Sequence, residues 1–233
     1  MDHCLTKHQK AQIEVINKIE QQANSNTMQF STVSPVDDYE NDLRIALTSV
    51  SFPNQTLLHS IQKQILDPLR IISPNHYYYK PRSLHITIKN IRLINDPPTF
   101  TIDDIDKAKN VFEKVIPTHH KFKSYFYKLL IFPASLALIG TTDPELDFIH
   151  SDLDKELQKA RVPDNKQYVN THYFFSNMTL VRFTSEITKE YREKINKISQ
   201  NMLFKPYEVD SVVLLSCNAV LSKQKIISSW KLR

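Results

Sequence analysis

The stretch Ser83-Leu84-His85-Ile86-Thr87-Ile88-Lys89 decides how the rest of this 233-residue chain is read. Its alternation, with β-branched and apolar neighbours, predicts a strand. On a strand His85, Thr87 and Lys89 share one face, and Leu84, Ile86 and Ile88 share the other. One face is therefore core. The other carries an imidazole, a hydroxyl and an ammonium. An imidazole titrates near neutrality and can move a proton, while the hydroxyl and the ammonium can hold phosphate oxygens. Read alone, the same residues also fit a partly buried histidine satisfied by a neighbour.

A second stretch has the same layout: Phe174-Phe175-Ser176-Asn177-Met178-Thr179-Leu180-Val181-Arg182-Phe183. Asn177 and Thr179 share a face, with Met178 and Leu180 pointing the other way. The pair resembles the two H-x-T/S-x signature motifs of the 2H phosphoesterase superfamily, which includes bacterial proteins named as 2′-5′ RNA ligases or RNA 2′,3′-cyclic phosphodiesterases. His85-Ile86-Thr87-Ile88 matches the first motif in full. Asn177-Met178-Thr179-Leu180 matches the second except at its histidine.

The resemblance implies an α+β, bilobal, duplicated fold: two antiparallel sheets around a central groove, helices outside, and the motif strands side by side. It also implies metal- and cofactor-free opening of a 2′,3′-cyclic phosphate or a 2′-5′ linkage in RNA or a small nucleotide. One histidine takes a proton, the other gives one, and the threonines hold phosphoryl oxygens. His85, Thr87, Asn177 and Thr179 are then the catalytic candidates. Asn177 cannot exchange a proton near pH 7, although its amide can donate a hydrogen bond. Losing one acid–base group costs roughly 10²–10⁴ in rate. A nucleotide-binding protein without turnover is the alternative reading.

Composition narrows the classes. A single glycine excludes a Walker-type phosphate loop and a dinucleotide fingerprint, so a phosphate site must use side chains and helix ends. The net charge of +5 suits an anionic ligand without demanding one. Cys4 and Cys217, the only cysteines, form no disulfide framework or cysteine zinc site. No apolar run approaches the roughly 18 residues of a membrane span, and the first residues lack a signal-peptide layout. A cytoplasmic monomer is the expectation.

Residues 1–40 read as an added helix and loop. The helix runs from 5 to about 24 on an Ile13, Val15, Ile16, Ile19 stripe, with His3 and His8 as solvated histidines at its start. The 2H-like domain is expected over 41–233, with pseudo-repeat halves at about 41–140 and 141–233. In order come a strand from Leu43 to Val50, a helix from Gln55 to Leu69, the first motif strand, a helix begun by a Thr101–Asp104 capping box, and a hairpin over 121–139. A helix opened by Asp143-Pro144 follows, then the second motif strand from Thr171 to Phe183 and a helix from Glu186 to Ser199. Strands at Tyr207–Cys217 and Lys225–Leu232 close the chain.

Five further residues are candidate substrate contacts: Tyr79, Lys80, Arg82, Lys89 and Arg182. Tyr77, Tyr78 and Tyr79 make either a base-stacking lip or the cover of a core edge. The cations are phosphate contacts or solvated charges, and alternation turns Arg182 away from the face of Thr179. His172 replaces the missing imidazole only if a bulge brings it round. His119-His120 point to opposite faces of a strand, with no other ligand at metal spacing, so no metal site is expected.

Overall fold

The computed structural model describes residues 5–233; His3 and Cys4 lie outside them. Two antiparallel sheets carry the fold. One has the order β3-β1-β8-β9, from Ile86–Asn95 (β3), Ile45–Ser51 (β1), Ser211–Cys217 (β8) and Gln224–Lys231 (β9). The other has the order β2-β6-β5-β4-β7, from Tyr77–Tyr78 (β2), Ser176–Arg182 (β6), Ser135–Thr142 (β5), Phe122–Phe132 (β4) and Tyr207–Val209 (β7). Each sheet holds one motif strand and draws strands from both ends of the chain. The run 207–217, expected as one strand, is two: it breaks at Asp210 and passes from one sheet to the other.

The apolar faces of both sheets are packed by helices. These are Gln55–Ile61 (α2), Asp67–Ile72 (α3), Ile102–Val115 (α4), Glu145–Lys159 (α5) and Lys189–Asn201 (α6), and their stripes join Ile86, Ile88, Met178 and Leu180 in one core. A π-turn at Gln62–Leu66 links α2 to α3 just ahead of Pro68, whose ring and missing N–H disfavour a regular helix there. Thr101 and Asp104 form the expected capping box on α4.

Several boundaries move for local reasons. The first strand begins at Ile45, and Leu43 is 69% exposed. Asp143 does not cap α5. Its carboxylate accepts instead from the Lys123 N–H and the Tyr125 hydroxyl, and the helix starts after Pro144. Thr188 caps α6, so that helix starts later than Glu186. Gly140, just past the hairpin expected over 121–139, lies within β5. A Cβ there would come within 2.8 Å of the Tyr125 carbonyl, opposite a bulge in β4.

The N-terminal helix, Lys7–Asn24 (α1), opens with a Thr6–Gln9 capping box. Its Val15, Ile16 and Ile19 pack on Leu130, Ala137 and Ile139 of β4 and β5. Ala137 pairs with Thr179 and Ile139 with Asn177, and paired residues share a sheet face. The helix therefore lies on the same face as the second motif. Buried Gln12 fastens it: its amide donates to the Thr142 hydroxyl at 2.7 Å and the Phe174 carbonyl, and accepts from the Thr142 N–H at 2.9 Å. Among the described residues no helix is long and apolar enough to cross a membrane.

Candidate active site

The site is built where the two motif strands meet. A cavity of about 540 Å³ between the sheets is lined by His85, Thr87, Asn177 and Thr179 together. The i, i+2 spacing in each motif aims both of its polar residues at this space, while Ile86 and Met178 anchor the strands in the core.

The strand expected from Ser83 begins only at Ile86, so His85 stands immediately before β3, after a 3₁₀ turn over Pro81–Ser83. Its Nδ1 lies 2.8 Å from the Ser83 carbonyl. A carbonyl only accepts, so Nδ1 carries the proton and Nε2 keeps its lone pair. Burial pushes the imidazole down to about 4, a fall that Arg182 adds to and the Ser83 bond opposes. His85 is thus a neutral base at pH 7.

Each motif strand bulges just after its threonine. Against β1, Thr87 pairs with Val50 and Lys89 with Ser49, which leaves Ile88 as the extra residue. Against β5, Thr179 pairs with Ala137 and Val181 with Leu136, which leaves Leu180 as the extra residue. A bulge inverts the alternation beyond it. Arg182, expected to face away from Thr179, therefore turns into the cavity, where its Nε donates to the Tyr79 hydroxyl at 3.3 Å. Lys89, expected beside Thr87 as a phosphate contact, still borders the cavity, but its buried ammonium is occupied by Asp154, at 2.6 Å, and by Asp164. Asn90 borders the cavity at the position after Thr87 that matches Arg182 after Thr179.

The other candidates divide. Tyr79 lines the cavity, but its ring is buried and its hydroxyl donates to the Ala219 carbonyl. Tyr77 and Tyr78 form β2 against β6. Lys80 pairs with Glu40 and Arg82 is exposed, both outside the cavity lining. The second motif strand starts at Ser176, and His172 lies in the exposed loop before it, with Nδ1 against the Thr171 hydroxyl. His119 is far from a free imidazole: Glu145 and Asp152 of α5 sit 2.8 and 3.4 Å from its two nitrogens. The fold brings it the carboxylates that sequence spacing lacked.

No local sequence signal marks His150, on α5, as a site residue. It is 4% exposed, borders the cavity and stacks on Phe174 with ring centroids 3.5 Å apart. It bonds the Ile88 backbone, and its Nδ1 has no partner. Burial, with Lys89 nearby, holds it neutral. The side-chain oxygen of Asn177 is also buried and unpartnered. Two unmet polar atoms in one cavity wall are what a ligand or ordered water would satisfy. Lys166, half-buried in the same wall, is lowered by desolvation to about 8.

No protein-family model and no curated protein matches the chain. Solved structures do. Escherichia coli LigT in its apo form is 12% identical with a TM-score of 0.52, over 81% of this chain and 98% of LigT. A Thermus thermophilus protein, TT0787, is 10% identical with a TM-score of 0.53, over 82% and 98%. A conserved protein of unknown function from Agrobacterium tumefaciens is 12% identical with a TM-score of 0.57, over 88% and 99%. LigT has also been crystallised with NADP+, ATP, 3′-AMP and phosphate. These neighbours match over nearly their whole length, and the surplus lies in this chain. The likeness shows the fold, the α+β LigT-like arrangement that the two motifs led us to expect.

Proposed function

We propose that the chain is a metal-independent phosphoesterase-like protein that opens a 2′,3′-cyclic phosphate or 2′-5′ linkage at an RNA end or in a small nucleotide. The observation that carries this reading is the convergence of His85, Thr87, Asn177 and Thr179 on one cavity, with the His85 lone pair free. Phosphorylated nucleotides crystallised with LigT, a protein of the same fold, support the ligand class.

In this reading Thr87, Thr179 and the Asn177 amide hold phosphoryl oxygens, and Arg182 supplies positive charge to the site. His85 Nε2 takes the proton of the attacking water as its oxygen bonds to phosphorus. The bond from phosphorus to the ribose oxygen breaks, and solvent protonates that oxygen, since Asn177 has no proton to give. The product is a phosphomonoester. A second reading, binding without turnover, draws on Asn177 and on a His85 that is only weakly basic.

Steady-state hydrolysis of a 2′,3′-cyclic nucleotide separates the two readings. We expect slow turnover that His85→Ala abolishes. Binding with no turnover would establish the second reading, and turnover unchanged in His85→Ala would overturn the role of His85.

A further inference from the structure

Two segments outside the motifs cross the gap between the sheets. The first leaves α1, packed on the β4–β5 face, and enters β1 in the other sheet. The second leaves α5, follows the outer edge of β3, where the Asn165 side chain accepts from the Leu93 N–H at 2.8 Å, and then enters β6. They run between the same two sheets and are tied together at the crossing. The Ser31 N–H donates to the Gln167 carbonyl at 3.2 Å, and the Gln167 N–H donates to the Ser31 hydroxyl at 3.0 Å. The first is pinned at both ends, by Phe30 edge-on to Phe132 with centroids 6.2 Å apart and by Arg44 donating to the Ser34 carbonyl at 3.1 Å.

Both segments line the cavity that holds the motif residues: 30–35 from the first and 166–170 from the second. We propose that together they roof the groove and make it a blind pocket, so that it admits a mononucleotide, a dinucleotide or a strand terminus and rejects a strand that continues on both sides of the reacting phosphate. This rests on the phosphoesterase reading above. The cavity volume, about 540 Å³, falls within the roughly 300–1,000 Å³ of pockets that engulf a small ligand. A strand running through would have to leave past the Ser31–Gln167 crossing, which the two backbone donors close. Ser31, Thr32 and Ser34 add hydroxyls to the wall beside its cations Arg44, Lys166 and Arg182.

The test compares three ligands: adenosine 2′,3′-cyclic phosphate, a 2′-5′-linked diadenylate, and an oligoribonucleotide with its single 2′-5′ linkage at the centre and several nucleotides on each side. The wild type should bind the first two and bind the third at least about tenfold more weakly. Ser31→Pro removes both crossing bonds. A variant with 27–36 replaced by a longer Gly/Ser segment frees the crossing more fully. Either variant, if it keeps the wild-type melting transition and binds the cyclic nucleotide, should take the oligoribonucleotide as tightly as the dinucleotide. Equal binding of all three by the wild type would overturn the roof and leave the phosphoesterase reading standing. So would continued rejection by both folded variants. Failure of all three ligands to bind would overturn that reading, and the roof with it.

Discussion

At the residue scale the two motifs supply one imidazole where the proposed chemistry has two proton transfers. The Ser83 carbonyl fixes the tautomer of His85, and burial holds the ring neutral. Asn177→His restores a proton donor opposite it, and we expect the rate of cyclic-nucleotide hydrolysis to rise on the order of 10²-fold with little change in affinity. An unchanged rate would mean that another group already supplies that proton. The depressed titration of His85 predicts the pH profile as well. The base is competent while deprotonated, so kcat/KM, which reports the free enzyme, should stay level from pH 7 down to about 5 and fall near 4. A fall centred near 6.5 would place His85 in water, not in the cavity described.

At the element scale the paired bulges and α1 shape the groove. One extra residue after each motif threonine brings Arg182 in, while the Lys89 ammonium at the cavity wall is taken up by Asp154 and Asp164. Helix α1 is held on the β4–β5 face by the buried Gln12 amide. Gln12→Ala leaves the Thr142 N–H unmet and the Phe174 carbonyl with only the longer Thr142 hydroxyl bond, and should cost about 1–3 kcal/mol, read as a lower urea midpoint at unchanged slope. The exposed Asn17→Ala on the same helix should stay within about 0.5 kcal/mol. Gly140→Ala drives a methyl into the backbone at Tyr125 and Phe126 and should destabilise by about 1–3 kcal/mol in the same assay. A neutral result would mean that β4 shifts freely there.

At the scale of the whole molecule, stability is coupled to acid through histidines buried neutral. His76, His85 and His150 are all lowered, with desolvation the first cause. Below its ordinary value of 6.5 the unfolded imidazole binds a proton that the folded one refuses. Each therefore adds stability that is fully present above pH 6.5 and is lost as pH falls. For His85 the loss runs down to about 4 and amounts to about 3 kcal/mol. Urea midpoints at pH 7, 6 and 5 should decline, and His85→Gln should flatten the decline. Equal slopes in the two proteins would remove His85 from the linkage.

The features legible in the linear chain are local in origin: strand periodicity, helix stripes, the capping box at Thr101, and an H-x-T and an N-x-T. Each is set by residues within a few positions of one another. Alternation also put Thr87 with His85 and Thr179 with Asn177. It failed beyond the threonines, at Lys89 and Arg182, because a bulge arises from pairing with a neighbouring strand and leaves no mark in the strand that bulges. The split of 207–217 between sheets, the carboxylates around His119 and the arrival of His150 at the cavity were likewise decided by packing between distant segments. So was the crossing of Ser31 over Gln167, since it joins segments 136 residues apart whose composition marks them only as loops.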